Sequence, residues 1–84
     1  MGFSVQIKGS AARELAALPK VARTRIADAI DGLSERPYAG RRLKGDLRGL
    51  RRIRVGGYRV IYEVQDEVLV VLVIRVAHRR EAYR

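Results

Sequence analysis

The sequence predicts an α+β domain in which two helices pack on one face of a largely antiparallel, twisted sheet, in the order β-α-α-β-β-β. Three observations carry that expectation. Two β-rich runs joined by Gly56-Gly57 have the pattern of a hairpin. Residues 11–33 place apolar side chains at helical spacing with one interruption at Pro19. Residues 68–76 form a nearly continuous apolar run, which suits a strand covered on both faces. With 84 residues the chain makes a single domain, 1–84, with one core, able to bury about 60% of the surface its unfolded form exposes.

Phe3-Ser4-Val5-Gln6-Ile7 alternates apolar and polar and reads as a short strand. Ser10 is the expected N-cap of a first helix carrying Ala11, Leu15 and Leu18 on one side. Pro19 closes that helix and opens the next, whose stripe is Ala22, Ile26, Ala29, Ile30 and Leu33. Residues 36–40 break the helix. Residues 41–49 form a basic connector punctuated by glycine, which Leu43 and Leu47 are expected to pin down.

The hairpin follows. A two-residue loop fixes the register, so Val55 faces Tyr58, Arg54 faces Arg59, Ile53 faces Val60 and Arg52 faces Ile61. Alternation then puts Ile53, Val55, Tyr58, Val60 and Tyr62 on one face and Arg52, Arg54 and Arg59 on the other. Like charges opposite each other cost a sheet about 0.2–1 kcal/mol, so the fold gains nothing from this cluster. Planar guanidinium groups on a rigid hairpin suit a phosphate-bearing polyanion. The alternative is a solvated face with arginine chosen for solubility or to blunt a sheet edge.

Charge points the same way. The net charge is +9 and the isoelectric point about 11.1. Nine basic and one acidic residue fall in 36–59, whereas 60–74 hold three acidic and no basic ones. That concentration implies nucleic acid, an anionic surface or an acidic protein as partner. The absence of cysteine excludes disulfides and thiolate chemistry, and a single histidine argues against a protein-built zinc site. No metal or other cofactor is expected. No apolar run reaches the length of a membrane span and the N-terminus lacks a signal-peptide pattern, so a cytoplasmic location is expected and a membrane partner is not.

The chain closes on Ala77-His78-Arg79-Arg80-Glu81-Ala82-Tyr83-Arg84, which sets proton-transfer groups after the last strand. His78 titrates near neutrality when unperturbed, and Tyr83 can stack on a base or act as one. The bland alternatives are a strand-end histidine bonded to backbone and an aromatic packed on the sheet edge. RNA carries its own nucleophile in the 2′-hydroxyl, so its cleavage requires alignment, proton transfer and stabilisation of the phosphorane, but neither a metal nor a covalent enzyme group. The residues support phosphate binding more strongly than cleavage.

Three stretches, Leu43-Lys44-Gly45-Asp46-Leu47-Arg48-Gly49, Arg52-Ile53-Arg54-Val55-Gly56-Gly57-Tyr58-Arg59-Val60-Ile61-Tyr62 and His78-Arg79-Arg80-Glu81-Ala82-Tyr83, closely resemble the RelE branch of the RelE/ParE toxin superfamily. The resemblance implies a RelE-like, microbial-RNase-like fold and the toxin of a type II toxin–antitoxin pair. It implies an endoribonuclease that enters the ribosomal A site and cuts messenger RNA, with an acidic RelB-like antitoxin as its partner in a hetero-oligomer. Carried over by position, the resemblance assigns catalysis to Arg59, Arg79 and Tyr83, with His78 beside them. Phosphate binding falls to Arg52 and Arg54, and Lys44, Arg51 and Arg80 complete that set. Some relatives hold lysines at the two strand positions; arginine does not readily lose its proton, which moves the expected base to Tyr83 or His78. The runners-up are a ParE-like toxin that poisons DNA gyrase by binding, and an RNA-binding domain without chemistry.

Overall fold

The computed structural model describes residues 2–78. Its elements are β1 (Ser4–Ile7), α1 (Gly9–Ala16), α2 (Lys20–Gly32), β2 (Arg41–Arg42), β3 (Arg51–Val55), β4 (Tyr58–Gln65) and β5 (Val70–His78). The strands form one sheet in the order β1-β5-β4-β3-β2, with β1 parallel to β5 and every other pair antiparallel. Both helices cover one face. Ala11, Ile26, Ile30 and Leu33 pack there against Val60, Tyr62, Val71, Val73 and Val76, with Ile53, Val55 and Tyr58 at the margin. The α+β layering and the stripe of the second helix agree with the sequence reading.

The hairpin register is the expected one, residue for residue, from Val55 opposite Tyr58 to Arg52 opposite Ile61. Gly56 alone of the turn pair takes a left-handed φ, 59°, as a two-residue turn with glycine at its first central position requires.

Four expectations change. The first helix begins at Gly9 with Lys8 at its N-cap and no side-chain cap bond, so Ser10 lies inside the first turn. The connector contributes a fifth strand, β2, too short for alternation to show in the sequence. Leu50, not Leu47, joins Leu43 in holding the connector, the two packing on Ile61 and Ala77 across the face away from the helices. The last strand starts at Val70: Asp66–Val68 form a 3₁₀ turn closed by a left-handed Leu69 (φ 55°), which leaves Val68 and Leu69 exposed.

β1 pairs with β5 only as far as Val73. Beyond it, Glu14 of α1 serves the open edge of β5: its Oε1 accepts a hydrogen bond from the Val76 N–H at 2.9 Å, and its Oε2 lies 3.5 Å from Arg75 Nε. The first helix is thereby fastened to the strand that leads toward the C-terminus.

Candidate nucleic-acid interface

Arginine stands opposite arginine at three places in the sheet: Arg54 and Arg59, Arg41 and Arg52, Arg42 and Arg51. Residues directly paired across a ladder share a face. Arg41, Arg52, Arg54 and Arg59 therefore occupy the face away from the helices, while Arg42 and Arg51 belong to the helix side.

Of the Arg42–Arg51 pair, Arg51 is answered within the fold, while Arg42 is exposed. Arg51 donates from Nη1 to the carbonyl of Gly40 at 2.9 Å and to that of Tyr38 at 3.3 Å, and its guanidinium sits 5.1 Å from the centre of the Tyr38 ring. Arg51 was expected to bind phosphate; the structure gives it these partners, on the face opposite Arg52 and Arg54. The same anchor holds Tyr62, whose hydroxyl donates to Pro37 O at 2.8 Å and accepts from the Gly40 N–H at 2.9 Å. Burial pushes the Tyr62 phenol above its ordinary pKa, against the opposing pulls of the Gly40 bond and the Arg51 charge. Gly40 has no room for a side chain, since a Cβ would come within 2.5 Å of the Tyr62 hydroxyl and 2.7 Å of Arg52 O.

The other face is left with unmet demand. Arg52 is only 8% exposed, Arg59 is half-buried, and the Nε of each is buried with no hydrogen-bond partner among the described residues. An unsatisfied buried donor costs about 1–3 kcal/mol, and more when charged. Arg54 is exposed beside them. Ile61 and Ala77, under Leu43 and Leu50, make the apolar floor from which these side chains rise, and Ala77 sits directly opposite Arg59. Between the 39–41 backbone and β3 lies an open cleft of about 320 Å³, lined by Ala39, Gly40, Arg41, Arg52, Ile53 and Arg54.

The remaining sequence-predicted residues are placed differently. Lys44 is exposed on the connector and lines a shallow hollow with Arg42 and Arg48. His78, at the end of β5, pairs with Tyr58 and meets its ring edge-on, 5.8 Å between centres. That contact belongs to the helix side, so the sheet does not bring His78 to the face of Arg59. Arg79, Arg80 and Tyr83 lie outside the described residues. Among the described residues no group of three or more His, Asp or Glu side chains is placed to hold a metal ion, and no helix is long and apolar enough to cross a membrane. Sequence reasoning missed Arg41, since only pairing with Arg52 reveals which way it faces. The signal available was its position two residues before Leu43 in a run of basic residues.

Residues 5–83 match a protein-family model described as the ParE toxin of type II toxin–antitoxin systems, parDE. Among characterised proteins, the chain is similar to Toxin RelE of Mycobacterium tuberculosis, 37% identical over 98% of this chain and 87% of the relative. It is also similar to Toxin RelG of the same organism, 34% identical over 100% and 99%. Among solved structures, it superposes on the RelBE2 toxin–antitoxin complex of M. tuberculosis with a TM-score of 0.87 at 31% identity, covering 94% of this chain and 100% of that one. The archaeal RelE–RelB complex of Pyrococcus horikoshii follows at 0.78 and 30%, covering 98% and 100%.

Proposed function

This chain belongs to the ParE toxin family of type II toxin–antitoxin systems, in its RelE-like branch, and on that premise we propose that it is an endoribonuclease that cuts messenger RNA in the ribosomal A site. The observation that carries the reading is the arginine face: positive charge gathered at a cost to the fold, with two buried guanidinium nitrogens that have no partner among the described residues. Cleavage proceeds by attack of the 2′-oxygen on the adjacent phosphorus. The P–O5′ bond breaks, leaving a 2′,3′-cyclic phosphate and a 5′-hydroxyl. One group removes the 2′ proton and another protonates the leaving 5′ oxygen. Charge grows on the non-bridging oxygens, where fixed cations are worth most. Arg52 and Arg54 hold the phosphodiester and Arg59 stabilises the phosphorane with Arg79. Tyr83 handles a proton; His78, which the sheet turns to the helix side with Tyr58, has no part in the step. Lys44 and Arg80 add phosphate contacts at the margin. The route needs no metal, because RNA supplies the nucleophile.

The partner we propose is an acidic RelB-like antitoxin, which covers the basic surface and folds as it binds. Support comes from relatives that crystallise as RelE–RelB complexes. The toxin acts in the cytoplasm, where its ribosomal target is.

Single-turnover cleavage of ribosome-bound messenger tests the reading. Tyr83→Phe should lower the rate on the order of 10² to 10⁴ with affinity nearly unchanged, because the ring remains. An unimpaired Tyr83→Phe protein would move the proton-transfer role elsewhere. Because the matching family model carries the ParE description, gyrase inhibition is measured alongside. Inhibition without any cleavage would replace this reading with a binding-only toxin.

A further inference from the structure

We infer that Arg41 extends the phosphate site into a track across three strands, so that single-stranded RNA crosses the sheet from β4 to the β2 edge and places a second phosphate in the cleft between residues 39–41 and β3. This rests on the reading of the arginine face as an RNA site.

Three observations support it. Arg41 is directly opposite Arg52 and Arg54 directly opposite Arg59, so four guanidinium groups run from edge strand to inner strand on one face. Two inter-strand steps at about 4.8 Å and one two-residue step along β3 at about 6.6 Å make that row longer than a single phosphodiester group. The cleft at its outer end is lined by Arg41, Arg52 and Arg54, and Arg52 is 8% exposed with its Nε lacking a partner among the described residues. Three arginines lining one open hollow, one of them with hydrogen-bonding capacity left over, are suited to an anion, which charge-assisted hydrogen bonds would hold. The Arg42–Arg51 pair supplies the contrast: there Arg51 spends its charge on the Gly40 and Tyr38 carbonyls and the Tyr38 ring. Arg41 has no such partner among the described residues and is exposed at the sheet edge, where a two-residue strand leaves the face open.

The ligand is a phosphodiester of the strand already held at Arg54 and Arg59, one or more nucleotides along it. Length of RNA is therefore the discriminating variable. Binding is measured as a function of salt for wild type, Arg41→Ala, Arg54→Ala and Arg23→Ala, the last removing a positive charge from α2 on the helix side. The probes are non-cleavable 2′-O-methyl RNAs: one of about nine nucleotides, within ordinary single-strand site sizes, and a dinucleotide with a single internal phosphate. On the longer RNA, Arg41→Ala should lower the slope of log K against log salt by about 0.7, and Arg23→Ala should leave it within error. On the dinucleotide, Arg54→Ala should still weaken binding and Arg41→Ala should not. An Arg41→Ala slope equal to wild type on the longer RNA, an equal loss on both RNAs, or a loss matched by Arg23→Ala would each overturn the track. If Arg54→Ala also changes nothing on either RNA, the RNA reading of the whole face falls, and the track with it.

Discussion

The two faces of the β3–β4 hairpin are written in alternate residues of the same strands, and they obey opposite rules. On the helix side polar groups are satisfied within the chain. Tyr62 is fully buried and both donates and accepts, and Arg51 finds two carbonyls and an aromatic ring. On the other side Arg52 and Arg59 bury Nε atoms for which the described residues offer no partner, in a row of arginines that repel one another. The first pattern is what folding stability selects. The second costs stability, and the proposed RNA ligand would offset that cost. Burial alone therefore does not mark a residue as structural; what separates Tyr62 from Arg52 is whether its hydrogen-bonding atoms are answered.

The contrast breaks most visibly at Gly40. Gly40→Ala drives a Cβ into the Tyr62 hydroxyl and the Arg52 carbonyl, and should destabilise by about 3 kcal/mol through overpacking and a displaced hydrogen bond. Urea unfolding checks this, and a protein as stable as wild type would show that the 37–40 loop yields freely. Tyr62→Phe comes next. It leaves the buried Gly40 N–H and the Pro37 carbonyl unanswered, for an expected loss of about 1–3 kcal/mol.

Tyr62 also sets a pH dependence. Its folded-state pKa is raised by burial, so the unfolded chain releases the phenolic proton first, near pH 10. The stability tied to its neutral form is intact below about pH 10 and is lost as pH climbs through 10 and on through the folded value. Wild type should therefore lose stability faster than Tyr62→Phe across alkaline pH, with parallel curves between pH 7 and 9. Parallel curves throughout would mean that the phenol ionises without cost in the folded state.

The smallest stability effect is expected on the arginine face. Arg54→Ala relieves a like-charge pair and should shift unfolding by less than about 1 kcal/mol, while lowering the salt slope of RNA binding by about 0.7. A slope equal to wild type would remove Arg54 from the site.

Much of this was legible in the sequence because strand periodicity is strict. Once Gly56-Gly57 fixed a two-residue turn, every pairing from Val55–Tyr58 to Arg52–Ile61 followed, and with them the segregation of arginine from apolar side chains. The helix stripe around Ile26 and Ile30 was readable for the same reason. What escaped were features without a period. A two-residue strand has no alternation to read, so Arg41 looked like one more loop cation. The choice of Leu50 over Leu47, and the tie of Arg51 to Gly40 and Tyr38, depend on how a connector folds back, which local sequence does not encode. The edge bond of Glu14 to Val76 joins residues 62 apart, and no pattern in either segment announces it. His78 was expected beside the arginines, yet as the direct partner of Tyr58 it falls on the helix side.

On the proposed reading the arginine face serves a phosphate-bearing substrate and not the fold. That reading is tested most directly by measuring two quantities on one Arg59→Ala protein: its free energy of unfolding in urea and its single-turnover cleavage of ribosome-bound messenger. We expect stability within about 1 kcal/mol of wild type, the lost packing of the stem being offset by relief of the Arg54 repulsion. Cleavage should fall by about 10² to 10³, the usual cost of removing one group that stabilises transition-state charge. A protein that cleaves as fast as wild type but unfolds several kcal/mol more easily would overturn that reading and return these arginines to the fold.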